Sequence, residues 1–212
     1  MNNLPRIHIL ICNAGIMARL PGLSPDGYEI QFATNHLGHA LLIHKLIPRI
    51  RGEGEGGGGR IVIVTSVGWR GARGIAFDRL RTTQEMPFLG HWLRYGQSKL
   101  ANMIYARELA ARYPDILSLS VHPGVVSTGF VTDLGFADKA LVHVTNIGRI
   151  LTPDQGTHNL LWAAVAEENS IKPGAFYEPV GVLSKMSSSA SKDPELGGRL
   201  WEWTEGELAR WL

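Results

Sequence analysis

The apolar positions of the chain fall into two alternating patterns. Ile7–Cys12 reads Ile-His-Ile-Leu-Ile-Cys, a short apolar run that stops at Asn13-Ala14-Gly15. Such a run suits a strand buried in a parallel sheet. After Ser24-Pro25-Asp26-Gly27, apolar residues recur at Ile30, Phe32, Leu37, Leu41, Leu42, Leu46 and Ile50, the spacing of a long helix. Arg60–Ser66 predicts a second buried strand, and a long connection follows it to about Arg94. Tyr95–Tyr113 predicts a helix carrying Leu100, Met103, Ile104, Leu109 and Ala110, which Pro114 ends. Leu117–Val121 is a third strand, closed by His122-Pro123-Gly124. Thr152-Pro153-Asp154-Gln155 has a polar cap followed by proline in the first turn, and opens a helix through Ala166. Ala175–Pro179 is a fourth short strand, and Pro194–Leu212 a terminal amphipathic helix rich in tryptophan. Strands alternating with helices predict an α/β fold in one domain, residues 1–212, built on a parallel sheet of about four strands.

Composition changes this picture little. The 212 residues carry 44% hydrophobic and 19% charged side chains, ordinary for a globular domain with a sizeable core. A formal charge of +2 with scattered arginines gives no case for nucleic acid as a partner. No stretch reaches the ~20 apolar residues of a membrane span, and the first residues lack the pattern of a secretory leader. The single cysteine, Cys12, lies in an apolar strand and reads as a small buried side chain. A cytoplasmic protein is expected. Gly52–Gly59 holds six glycines in eight residues but precedes a strand instead of joining a strand to a helix. It therefore reads as a surface loop and not as a phosphate cradle.

The candidate chemistry centres on Tyr95-Gly96-Gln97-Ser98-Lys99. Tyr95 and Lys99, spaced i and i+4, leave the same face of one helix. A lysine ammonium beside a phenol favours the phenolate and is expected to lower the tyrosine toward neutrality. That would suit a general acid or base acting on a carbonyl/alcohol pair. The alternative is an exposed lysine packed over a ring. Ser66 sits at a strand end, where open α/β sheets place ligands. Its hydroxyl could hold a carbonyl oxygen near Tyr95, or merely cap the turn. Asn35 lies mid-helix, where asparagine competes for backbone hydrogen bonds, so a specific task is plausible. His36 and His39 have a spacing that could suit a metal, but no third ligand accompanies them and no metal is expected. His122 reads as structural. Trp69, Phe77, Phe88, Trp92, Phe130 and Phe136 fall in the two stretches, Val67–Arg94 and Phe130–Ile150, that could line a fairly apolar pocket. They could equally pack loops onto the core.

Five motifs taken in order resemble the short-chain dehydrogenase/reductase family. They are Asn13-Ala14-Gly15, Asn35-His36-Leu37-Gly38-His39, Arg60–Ser66, Tyr95–Asn102 and His122–Thr128. Within that family the chain is similar to retinol-dehydrogenase-like and fungal members. The resemblance implies a Rossmann-like doubly wound sheet with Tyr95 as catalytic acid/base. Lys99 would tune Tyr95 and hold the nicotinamide ribose, and Ser66 would orient the substrate carbonyl. Asn35 would hold a water in a proton relay. Asn13, Ala14 and Gly15 would lie along the adenosine side of NADP(H) or NAD(H), with Pro123, Gly124 and Thr128 at its nicotinamide end. It also implies a homodimer or higher homo-oligomer, formed through the helices that begin near Ser24 and at Tyr95.

No segment of the chain matches the family's glycine-rich strand–turn–helix. The expectation is therefore a partial fold lacking the N-terminal β-α-β-α-β part, with Ile7–Cys12 at a sheet edge. Three functions remain open. The first is an oxidoreductase acting on a carbonyl or alcohol of a small, fairly apolar molecule. The second is a cofactor-independent isomerase, cyclase, dehydratase or lyase in small-molecule biosynthesis, such as secondary metabolism. The third is a non-catalytic binding module.

Overall fold

A computed structural model describes residues 6–51, 58–127 and 134–212. The main sheet has five strands, not four. β1 (Ile9–Cys12), β2 (Arg60–Val64), β3 (Leu117–Val121) and β6 (Phe176–Glu178) run parallel in the order β1-β2-β3-β6. β7 (Val182–Leu183) pairs antiparallel with β6, setting Tyr177 opposite Leu183. A two-residue strand turning back across Gly181 has no run of apolar residues to announce it. Two short parallel strands, β4 (Val125–Val126) and β5 (Ile150–Leu151), form a separate pair.

Every residue of β2 is buried. Ile61 and Ile63 enter one cluster with Cys12, Phe32, Leu100, Ile104 and Leu200. Val62 and Val64 enter a second with Leu119, Val121, Ala163 and Tyr177. Successive strand side chains point to opposite faces, so a continuous apolar strand requires a cover on both. Each such side chain contributes roughly 1.5–3 kcal/mol of burial free energy. Cys12 is buried, as expected, and burial pushes its thiol up to about 12.

The covers are helices. On the first face lie α1 (Ile30–Phe32), a π-helical turn (Ala33–Leu37), α2 (Gly38–Arg51) and α3 (Gly90–Arg112). α4 (Phe136–Thr145) stands apart, with no buried residue. α5 (Pro153–Val165) covers the second face, with Ala163 in its core. It opens with the expected cap: Thr152 Oγ1 accepts from the Gln155 amide and Gln155 Oε1 from the Thr152 amide, at 3.3 and 2.9 Å. α3 begins five residues before Tyr95. Its first residue follows Leu89, which has a left-handed φ of 53° and makes no side-chain cap, so nothing in the sequence marks the start.

After α6 (Ser189–Lys192), the chain ends in α7 (Pro194–Leu208), which docks on α2 and α3. Trp201 stacks on Tyr105 with centroids 5.2 Å apart, and Trp203 packs edge-on against Phe32. α7 thus packs against both α2 and α3.

Candidate active site

Each parallel strand delivers its residues at its C-terminal end. β1 leads into Asn13, β2 into Thr65-Ser66, and β3 into His122-Pro123-Gly124. All of these border one cavity of about 610 Å³, together with Tyr95 and Lys99. An open α/β sheet binds ligands at this edge because backbone groups and loops converge there.

The end of β2 is stitched to α3. Thr65 Oγ1 donates to the Lys99 carbonyl at 2.6 Å. The Val64 carbonyl accepts from Lys99 Nζ at 3.1 Å and from Asn102 Nδ2 at 3.2 Å. Ser66 caps the 3₁₀ turn Val67–Gly71, its Oγ accepting from the Gly68 amide at 3.2 Å. The capping lone pair leaves the hydroxyl hydrogen for another acceptor, so capping and substrate orientation are compatible. The Ser66 side chain also favours the Tyr95 phenolate.

Lys99 Nζ lies 5.8 Å from the Tyr95 ring centroid. The expected lowering of Tyr95 is not found. Burial pushes the phenol up to about 12 and Ser66 only partly offsets it. Desolvation of the phenolate is the dominant cause. Burial likewise lowers Lys99, to about 8. One of its N–H groups donates to Val64, and no other acceptor among the described residues meets the rest.

Asn35 occupies the π turn. Its Nδ2 donates to the Ile16 carbonyl (2.9 Å) and to Ser98 Oγ (2.8 Å), while its Oδ1 accepts from the Ile16 amide (2.7 Å). Its own carbonyl accepts from His39 Nδ1 at 3.1 Å when that nitrogen carries the proton. Asn35 therefore anchors the loop after β1, away from the cavity wall. Ser98 passes the connection on by donating to the Tyr95 carbonyl at 2.8 Å. Ala14 and Gly15 also lie off the wall. A Cβ on Gly15 would stand 2.9 Å from Asn35 Oδ1, so glycine lets this loop close on the Asn35 side chain. Thr128 and Phe130 lie outside the described residues.

Among the described aromatic candidates, only Trp92 borders the cavity. Trp69 is fully buried against Phe176, and Phe77 packs on Trp203. Phe88 and Phe136 face solvent, 93% and 90% exposed. The apolar wall comes instead from Met17, Leu160 and α4, through Leu141 and Val142. The short aliphatics of α4 carry no motif that a sequence reading could seize on. His122 is buried beside the cavity, and its Nδ1 has no hydrogen-bond partner among the described residues. Burial and the Lys99 charge lower it to about 4. His36 is a core residue within reach of Asn102 Oδ1 and Thr204 Oγ1. No described helix is long and apolar enough to cross a membrane.

No family model matches the chain. Among curated proteins, it is 33% identical to the short-chain dehydrogenase/reductase drtF of Aspergillus calidoustus, over 97% of this chain and 69% of that protein. An uncharacterized oxidoreductase of Schizosaccharomyces pombe is 36% identical over 87% of this chain, and human retinol dehydrogenase 11 is 33% identical over 92%. The chain spans 58% and 59% of the length of those two proteins. Among solved structures, an uncharacterized Mycobacterium paratuberculosis protein superposes with a TM-score of 0.72 at 28% identity, over 98% of this chain and 69% of its own. An NADPH-bound carbonyl reductase from chicken fatty liver shares the fold, with a TM-score of 0.56 at 20% identity, over 86% of this chain and 67% of its own. Sheet order, site geometry and these likenesses agree that the chain belongs to the short-chain dehydrogenase/reductase family.

Proposed function

We propose that this chain carries the acid/base centre of an oxidoreductase that interconverts a carbonyl and an alcohol on a small, fairly apolar molecule. The observation that carries the reading is the convergence of Ser66, Tyr95 and Lys99 on one largely apolar cavity. A nicotinamide cofactor, NADP(H) or NAD(H), supplies or accepts the hydride when bound. The residues present fit it. Lys99 is a buried ammonium with donors left over for ribose hydroxyls, and Asn13, Pro123 and Gly124 border the same space.

In the reducing direction, the Ser66 hydroxyl donates a hydrogen bond to the substrate carbonyl oxygen. Tyr95, protonated at neutral pH, gives its proton to that oxygen as negative charge develops. The resulting phenolate is stabilised by the Lys99 ammonium, one helical turn along the same face. Asn35 and Ser98 hold the loop after β1 and the first turns of the catalytic segment in register. Oxidation runs the same proton path backward, with Tyr95 as base.

Mixing the protein with straight-chain and aromatic aldehydes and either NADPH or NADH tests the reading. The expected result is loss of reduced-nicotinamide absorbance matched by loss of the carbonyl. No binding of either cofactor up to millimolar concentration in calorimetry, with no turnover, overturns it.

A further inference from the structure

α4 is a cavity wall held by little packing. It has no buried residue, yet Leu141, Val142 and Thr145 border the cavity. Among the described residues, its only hydrogen bonds to another element converge on one atom. Asp138 Oδ1 accepts from Trp92 Nε1 at 2.8 Å and lies 3.0 Å from His91 Nε2. Both donors stand in the first turn of α3. Trp92 in turn borders the cavity and meets the Tyr95 ring edge-on, with centroids 6.4 Å apart. A single carboxylate thus ties the apolar wall to the ring that packs on the acid/base residue. Burial pushes Asp138 up, but the bonds from His91 and Trp92 outweigh it and hold the carboxyl below its usual value. The latch is therefore an ionised acceptor at neutral pH, in the first turn of its own helix, where a negative charge is favourable.

We infer that Asp138 is a specificity-determining residue: by accepting from Trp92 and His91 it fixes α4 at a set distance across the cavity, and so limits the length of apolar group that can lie beside Tyr95. The inference rests on the cavity being the substrate site proposed above. Its test uses neither cofactor nor turnover, so a failed carbonyl assay bears on that reading alone.

Two variants are compared with the wild-type protein. Asp138→Ala removes the acceptor. Trp92→Phe keeps an aromatic ring against Tyr95 but loses the N–H, which keeps the test sound if the first variant folds poorly. Hydrogen exchange of peptides covering α4 should accelerate at least about fivefold in both, with α3 peptides beyond Tyr95 unchanged. Calorimetry with straight-chain alcohols from butanol to dodecanol should show a shift in length preference. The affinity ratio of long to short alcohols should rise about tenfold over wild type, the scale expected when a pocket stops excluding extra methylenes. Unchanged α4 exchange overturns the inference. So does a length ratio that stays the same or falls, which would reduce Asp138 to a purely structural contact.

Discussion

A Cβ on Gly96 would stand 2.7 Å from the carbonyl oxygen of Gly68. The turn that carries Ser66 therefore lies against α3 as closely as backbone permits. A Cβ on Gly68 would in turn meet the Tyr95 ring at 3.2 Å. The glycine following Tyr95 sets the spacing between the Ser66 turn and the Tyr95 ring.

Gly96→Ala should accordingly push the Ser66 turn away. Displacement of about 1 Å costs on the order of 10²-fold in rate. We expect kcat to fall by about that factor while the protein stays folded and cofactor affinity changes little, since Lys99 is anchored separately on Val64. Steady-state kinetics with calorimetry on the same preparation checks this. Wild-type kcat in Gly96→Ala would sever the link between turn spacing and rate.

Tyr95→Phe and Lys99→Met should separate two roles. The phenylalanine removes the proton donor alone, so turnover should drop by about 10²–10⁴ with cofactor affinity preserved. The methionine removes a buried ammonium that has only one protein acceptor among the described residues. Cofactor affinity should fall as well as rate. Equal cofactor affinity in the two variants would contradict the proposed ribose contact.

Much of this was legible in the sequence for a physical reason. Tyr95 and Lys99 share a strongly patterned helix, and Ser66 ends a strand whose apolar run is unambiguous. What was hidden depends on contacts between distant segments. Asn35 reads as a mid-helix oddity, and only the fold shows the π turn that aims it at Ile16 and Ser98. The rise of Tyr95 follows from burial that no local pattern displays. The cavity wall of α4 is legible only once Asp138 is seen to meet Trp92, 46 positions away. The aromatic residues that looked like pocket candidates were conspicuous by type, yet Trp69 and Phe77 pack into the body.

The docking of α7 predicts a stability effect without a catalytic one. Trp201 stacks on Tyr105 and lies beneath the Arg112 guanidinium, whose central carbon is 4.4 Å from a Trp201 ring centroid. Trp201→Ala should cost about 3 kcal/mol, near the lower end for large aromatic truncations because the ring is only partly buried. Denaturant unfolding measures the cost, and kcat should stay within about twofold below the shifted midpoint. A loss under about 0.5 kcal/mol would mean that the helix is not held by this stack.

Acid sensitivity follows from buried histidines, of which His36 and His122 are shifted most. Burial lowers His36 to about 3 and His122 to about 4, against an ordinary 6.5. Between those values the unfolded chain binds protons that the folded one does not, so stability rises with pH. It is fully present above about 6.5 and is lost as pH falls through 4 and then 3. Near pH 5 each histidine should contribute a slope of about 1.4 kcal/mol per pH unit. His122→Gln removes one of these groups at a site where Nδ1 has no partner to lose among the described residues. Unfolding free energies measured from pH 4.5 to 6.5 should therefore fall less steeply with acid in the variant, by about one proton's worth of slope. Parallel pH profiles for the variant and the wild type would show that His122 is already able to take up a proton in the folded protein.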